Sequence, residues 1–380
     1  MMFDKRGVLF WPVGTGDSTT FIIREKEVVL QVDLRHSAKS EDEETDCAPI
    51  IDELVEHLPK VGSRPYLSSF ILTHPDKDHI QGFTDLLDRV TIGELWFSPR
   101  VFREQKGDMC DDAQAFRDEA HRRVTATIEA GGDPGVGNRV RLVGYDTLLE
   151  EEHYVGFPEE FFSVPGHAVR SLDGEDLTGA FRAFIHAPFK QDDMVGDRND
   201  TSLVLQILLG DDPSVGGVLL FGDHKYPTIR KVFDVSAANG NEDNLKWQIM
   251  LASHHCSKSV MYQEEDGKTV LKQDILDDFE RLQIGDGFII ASANCIPASN
   301  ESGDNPPHAV AKARYSEIAK GGFLCTHDDG GHAEALRFDI EGDDIFYAGE
   351  VALGAGALAG AVSEARGSED TPSTKVGFGA

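Results

Sequence analysis

The segment Thr73-His74-Pro75-Asp76-Lys77-Asp78-His79 constrains this chain more than any other. It places two imidazoles and two carboxylates within six residues, directly after the apolar run Ser69-Phe70-Ile71-Leu72-Thr73. That run has the length and composition of a buried strand, so the polar groups sit where a strand hands over to a loop. A loop lets neighbouring side chains point the same way, and four such donors can converge on one or two divalent cations. A solvated polar loop accounts for any one of these residues, but poorly for their density.

Composition limits what such a site can act on. The 380 residues carry 36 Lys and Arg against 67 Asp and Glu, a formal charge of −31. A surface of that sign repels anions and offers no basic stripe for a phosphate backbone. A nucleic-acid substrate would therefore need bound cations, a locally positive groove or a partner. Cys47, Cys110, Cys256, Cys295 and Cys325 are scattered, odd in number and free of any C-x-x-C pair. With no secretory h-region near Met1, these cysteines lead us to expect a reducing, cytoplasmic setting. No uncharged apolar run approaches the roughly 18 residues of a membrane span, so no membrane partner is expected.

Periodicity organises the rest. Gly7 to Phe10, Thr19 to Ile23 and Glu27 to Leu34 read as strands, the first two split by Val13-Gly14-Thr15-Gly16-Asp17-Ser18. Ser37 to Asp46 is a polar, acidic loop, and Ile50 to Leu58 has helical spacing. Residues 99–165 turn charged and read as an insertion or cap, with one amphipathic helix over Asp111 to Ala130. Strands resume at Ala183 to His186, Ser202 to Leu209, Gly217 to Phe221, Trp247 to Ser253 and Gly287 to Ala293, before a helix over Ala309 to Lys320. The expected domain is 1–350, with a flexible tail over 351–380 that is rich in small residues.

His74-Pro75-Asp76-Lys77-Asp78-His79 resembles the H-x-H-x-D-H signature of the metallo-β-lactamase superfamily, with Asp76 in place of the second His. The H-x-D-x-D-H form is similar to that of the ComEC-like branch, here without a membrane channel. Further motifs follow in the family's order: Val13 to Ser18 as the opening turn, Asp33 closing a strand, Asn199-Asp200-Thr201-Ser202-Leu203-Val204-Leu205, then Phe221-Gly222-Asp223, His254-His255-Cys256-Ser257, Asn294, His308, and Thr326 to Gly330. The resemblance implies an α/β (α+β) four-layer αβ/βα sandwich with metals at one edge.

It also implies roles. His74 and Asp76 would hold one ion. Asp78 and His79, with His254 or His255, would hold the other, and Asp223 would bridge them. Asp33 and Asp17 would orient ligands from behind. The family's upstream third-motif His is absent, and Asn199 or Asp200 stands in its place. Those oxygen donors favour Mn²⁺ or Mg²⁺ more than an all-imidazole site does, while Zn²⁺ keeps the higher intrinsic affinity. Two ions generate hydroxide at neutral pH and clamp the oxygens of a displacement, with Asp78 or Asp223 orienting the nucleophile.

Several residues admit plainer readings. Cys256, where the family has Gly, is a packed thiol or an extra soft ligand. Val164-Pro165-Gly166-His167 is read as a decoy, His186 as a structural histidine near the rim, and His224 as exposed. His308 would touch substrate or support the site from behind, and Lys258 would neutralise a phosphate or simply be solvated. By analogy the reaction expected is hydrolysis of a phosphodiester or another small anionic substrate, nucleic acid included. The rivals are a hydrolase of small esters, lactones or cyclic nucleotides, and a non-catalytic metal-stabilised binding or defence module with a protein partner on 99–165.

Overall fold

The computed structural model describes residues 2–42, 45–104, 106–193, 199–299, 305–327 and 334–352. From 353 onward, the expected tail lies outside them. Two mixed sheets dominate. The larger runs in the order Asp344–Ala352, Glu334–Glu341, Gly7–Phe10, Thr19–Arg24, Val28–Val32, Arg64–Ile71, Thr91–Phe97, Arg139–Val143 and Phe162–Ser163, with Lys60–Val61 beside Arg64–Ile71. It is antiparallel up to Val28–Val32 and parallel from there on. The second runs Gly322–Cys325, Gln283–Ala291, Trp247–Leu251, Gly217–Leu220, Val204–Leu208, Arg182–Ala187 and Ala168–Val169. Its strands are parallel from Gly217–Leu220 through to Gly322–Cys325.

Side-chain alternation makes the layers, because successive residues of a strand face opposite ways. Leu30 and Val32 join Phe10, Phe21 and Ile71 against Ile185, Leu205, Ile207, Leu220 and Leu251 of the other sheet. Val29, next to Leu30 in sequence, faces the outer layer of Ile51, Leu54, Phe83, Phe116 and Ala120. These come from helices Ile50–His57, Phe83–Arg89 and Asp111–Ala130. Val204, Leu219 and Met250 likewise pack outward on Ile229, Phe233, Ile275, Phe279 and Tyr315, from helices Tyr226–Ala238, Gln273–Arg281 and Ala309–Ile318. The result is the αβ/βα sandwich, with three separate apolar layers. Among the described residues no helix is long and apolar enough to cross a membrane.

Residues 99–165 are built into this sandwich. Asp111–Ala130 packs in the outer layer through Ala113, Phe116, Ala120 and Val124. Arg139–Val143 and Phe162–Ser163 extend the parallel edge of the larger sheet.

His186 is fully enclosed beneath helix Tyr226–Ala238. Its Nε2–H donates to the Asn244 carbonyl at 2.9 Å, so Nδ1 accepts from the Ser236 hydroxyl, also at 2.9 Å. Burial pushes its pKa down from 6.5 to about 4. Above pH 7 it is neutral whether folded or unfolded. Between those two values the unfolded chain takes up a proton that the native one refuses, so stability falls as pH falls. The expected loss by pH 4 is about 3 kcal/mol from this residue. Urea melts at pH 7.5 and pH 4.5 should therefore show a smaller acid loss for His186→Gln than for the wild type. Equal losses would assign the acid sensitivity elsewhere.

Candidate metal centre

The carboxyl ends of four strands supply the centre, the usual place for a site in an open α/β sheet. Val28–Val32 leads into Asp33, and Arg64–Ile71 leads into Thr73 and His74. In the second sheet, Gly217–Leu220 leads into Gly222-Asp223, and Trp247–Leu251 into Ser253-His254-His255. The Gly14–Asp17 turn closes over them from the first strand, with the Asp17 N–H donating to the Asp78 carbonyl at 3.2 Å. Ser253 Oγ sits 2.9 Å from the Gly222 carbonyl and 2.7 Å from that of His224, locking the two loops of the second sheet together. Gly222 has φ +54, and a Cβ there would come within 2.7 Å of Ser202 Cβ, so the turn that presents Asp223 requires glycine.

Asp223 stands at the middle, with each oxygen facing different partners. Oδ1 lies 3.3 Å from His79 Nε2 and 3.5 Å from His255 Nε2. Oδ2 lies 3.7 Å from His74 Nε2 and 3.9 Å from His254 Nε2. Asp78 Oδ2 joins the first group, 3.3 Å from His255 Nε2, and Asp76 Oδ2 joins the second, 3.8 Å from His74 Nε2. Asp17, His79, Asp223 and His255 are all buried, with donor atoms within 4.8 Å of one another.

A layer behind the imidazoles sets their tautomers. Asp33 accepts from the Thr73 N–H at 2.7 Å, the Thr73 hydroxyl at 2.6 Å and His79 Nδ1 at 2.8 Å. Because the Thr73 hydroxyl spends its proton on Asp33, its oxygen accepts from His74 Nδ1 at 3.1 Å. His255 Nδ1 faces the Ser292 carbonyl at 3.2 Å and Asp17 Oδ1 at 3.3 Å, both acceptors. All three rings therefore keep a proton on Nδ1 and aim Nε2 inward, as ligating histidines do.

The pocket fits a cation. Nε2 of His74, His79 and His255, and Oδ1 of Asp223, are buried with no hydrogen-bond partner. An unsatisfied buried group costs about 1–3 kcal/mol, and four of them face one another here. Burial disfavours charge on His79 and His255, yet Asp223, with Asp33 or Asp17 behind, raises both well above the usual imidazole value. Burial also opposes charge on Asp223, but the imidazoles hold it well below the usual carboxylate range. The field of the pocket is negative, and its imidazole and carboxylate donors suit Zn²⁺ or Mn²⁺.

His254, His255 and Cys256 have φ of 51°, 53° and 66°, three consecutive left-handed residues without a glycine. Such positions cost about 1–3 kcal/mol each and cluster at functional sites. The left-handed turn sends His255 to one oxygen of Asp223 and His254 to the other. Cys256 is fully buried in the outer core, and burial pushes its thiol up to about 12, which favours the packed reading over a ligand. His308 braces the turn from outside. Its Nδ1 accepts from the Lys258 N–H at 3.2 Å, and its N–H donates to the Cys256 carbonyl at 3.1 Å.

The remaining residues are placed as follows. Asp200 is half-buried and accepts from the Thr228 hydroxyl at 2.9 Å, and neither it nor Asn199 is among the four converging residues. Lys258 is half-buried at the outer end of the histidine turn. His167 is exposed at the sheet edge. His224, expected to be exposed, is instead fully buried, and its Nε2 donates to the Ser202 carbonyl at 3.0 Å; the lock through Ser253 pulls that turn inward. His327 escaped the sequence reading. It is buried, accepts from the Gly14 N–H at 2.7 Å, and its Nδ1 lies 3.1 Å from Asp46 Oδ2. Only its place in the Thr326 to Gly330 motif, whose last three residues lie outside the described ones, hinted at a role.

No family model and no curated protein matches the chain. Among solved structures, it is similar to the metallo-β-lactamase fold protein YhfI from Bacillus subtilis, at 12% identity and TM-score 0.38 over 88% of this chain and 100% of that one. A diphosphatase of the PhnP family matches at 8% identity and TM-score 0.38, over 86% and 85% of the two chains. The diiron β-hydroxylase CmlA from Streptomyces venezuelae matches at 13% identity and TM-score 0.37, over 88% of this chain and 54% of that one. At this distance these likenesses carry no argument about the reaction, which rests on the side chains described above.

Proposed function

We propose that this chain is a metal-dependent hydrolase of phosphodiesters with a binuclear centre of the ComEC-like kind. One observation carries the reading: the two oxygens of Asp223 face two separate sets of donors. His79, His255 and Asp78 would hold one ion and His74, His254 and Asp76 the other, with Zn²⁺ or Mn²⁺ favoured by the donor types and Mg²⁺ a weaker third. Bound there, two divalent ions supply Lewis acidity and a lowered pKa for water.

The chain's own groups do the rest. Asp33, Asp17 and Thr73 hold the ring protons outward, so no imidazole has to rotate when it ligates. Asp223 is 5% exposed and closes the floor of the site against solvent. The Asp78 side chain is 36% exposed and so reaches the water side. Burial opposes its charge, but His255 and His79 hold it well below the usual carboxylate range. It stays ionised at neutral pH and is placed to orient a water by accepting a hydrogen bond from it.

The test is elemental analysis of the protein after loading with Mn²⁺, Zn²⁺ or Mg²⁺, paired with hydrolysis of bis-p-nitrophenyl phosphate and p-nitrophenyl acetate. The expectation is metal near two per chain and turnover of the diester, lost in Asp78→Ala. Retention of no metal by the wild type would overturn the centre. Cleavage of the acyl ester alone would overturn the substrate class.

A further inference from the structure

Arg35 is the cation that the metal centre leaves unexplained. It follows Asp33 by two residues, is half-buried, and has a buried Nε with no hydrogen-bond partner. Among the described residues no carboxylate pairs with it, in a chain where Asp and Glu outnumber Lys and Arg by 67 to 36. Its guanidinium lies on the Gly14–Gly16 turn. A Cβ on Gly16 would meet Arg35 Cδ at 2.4 Å and the Asp78 carbonyl at 2.6 Å, and one on Gly14 would lie 3.6 Å from Arg35 Nη1. The absence of a side chain at Gly16 is what lets Arg35 settle there, and a Cβ on Gly14 would be in ordinary contact with it. The turn is itself fixed, by His327 on the Gly14 N–H and by the Ser292 hydroxyl on the Gly16 carbonyl. It runs directly into Asp17, the residue that orients His255.

We propose that Arg35, seated on the Gly14–Gly16 turn, is an anion subsite beside the metal centre that receives a second phosphate group of the substrate. The inference rests on the phosphodiesterase reading and narrows it to small diesters bearing an extra phosphate. A protein of charge −31 cannot gather such a substrate by its general field. A fixed guanidinium binds phosphate through paired N–H donors, which Lys cannot reproduce. The same argument disfavours long nucleic acid, which needs a run of cations rather than one.

The experiment compares a 5′-phosphorylated dinucleotide with the same dinucleotide lacking that phosphate, using metal-loaded protein. Wild type should prefer the phosphorylated substrate by about tenfold or more in kcat/KM, the scale of one charge-assisted phosphate contact. Arg35→Ala should lose that preference through KM, Arg35→Lys should keep part of it, and Lys60→Ala, the same charge change on an exposed strand, should leave it intact. A wild type that cleaves both substrates equally, or an Arg35→Ala variant that keeps the preference, overturns the subsite while leaving the hydrolase standing. If no diester is cleaved, the functional reading falls, and calorimetry with inorganic pyrophosphate decides the subsite alone. Weaker binding to Arg35→Ala than to wild type and Lys60→Ala supports it, and equal binding overturns it.

Discussion

Asp223→Ala is expected to lose both ions and essentially all turnover while keeping its fold. Among the described residues, Asp223 is the only side chain whose oxygens face all four site histidines, at 3.3 to 3.9 Å. Without it, His79 loses the nearest negative charge on its Nε2 side and His255 keeps only Asp78 there, and the two donor sets have no shared ligand. Loss of both ions removes several kcal/mol of transition-state stabilisation, a fall in kcat/KM of about 10³-fold or more. The apo fold should tolerate the change, since Asp223 brings no apolar contact to the three core layers and the Ser253 lock uses backbone carbonyls on either side of it. Metal content by elemental analysis and circular dichroism on the same sample check both halves. A variant that still holds two ions per chain would show that the bridge lies elsewhere.

How much of this was legible in the sequence follows from which interactions are local. Helix Asp111–Ala130 lies where its pattern and the closing Gly131 put it, and Ile50–His57 stops one residue short of the expected Leu58. The strand read at Ser69 to Thr73 was legible from its apolar centre, but it runs over Arg64–Ile71, starting five residues earlier and ending before Leu72. The donors from His74 to His79 announced themselves by density. Asp17 was named only as support, since its partner His255 is 238 positions away and nothing local reports the distance.

The choice between His254 and His255 was closed to sequence for a different reason. It depends on three left-handed residues whose φ no propensity would assign to His-His-Cys. That tertiary strain spreads the two rings onto opposite oxygens of one carboxylate, so two residues that looked like alternatives both face Asp223. His224 was misjudged because adjacency to Asp223 suggested a shared rim, whereas its ring turns inward to the Ser202 carbonyl. Arg35 carried no motif at all. Its interest lies in what its side chain rests on.

Asp33→Asn should show that the centre depends on a proton it never touches directly. Asp33 adopts φ +54, which asparagine accepts as readily as aspartate, so the backbone is not disturbed. What changes is one oxygen into an NH₂ group. If that group faces the Thr73 N–H, two donors meet in place of the present 2.7 Å hydrogen bond, at about 1–3 kcal/mol. If it faces His79, the ring must accept at Nδ1 and carry its proton on Nε2, aimed at Asp223 Oδ1 3.3 Å away. In that tautomer His79 has no lone pair for a metal. The expected result is a loss of about 10- to 100-fold in metal affinity, the usual scale for a residue that orients a ligand from behind. Chelator competition measures the affinity, and the ¹⁵N shifts of the His79 ring in the apo protein, taken at a pH above its raised pKa, read the tautomer. A purely structural Asp33 would lower the melting temperature of the variant and leave the ring proton on Nδ1. Unchanged affinity together with an unchanged tautomer would remove Asp33 from the centre and leave its hydrogen bonds to Thr73 as its whole role.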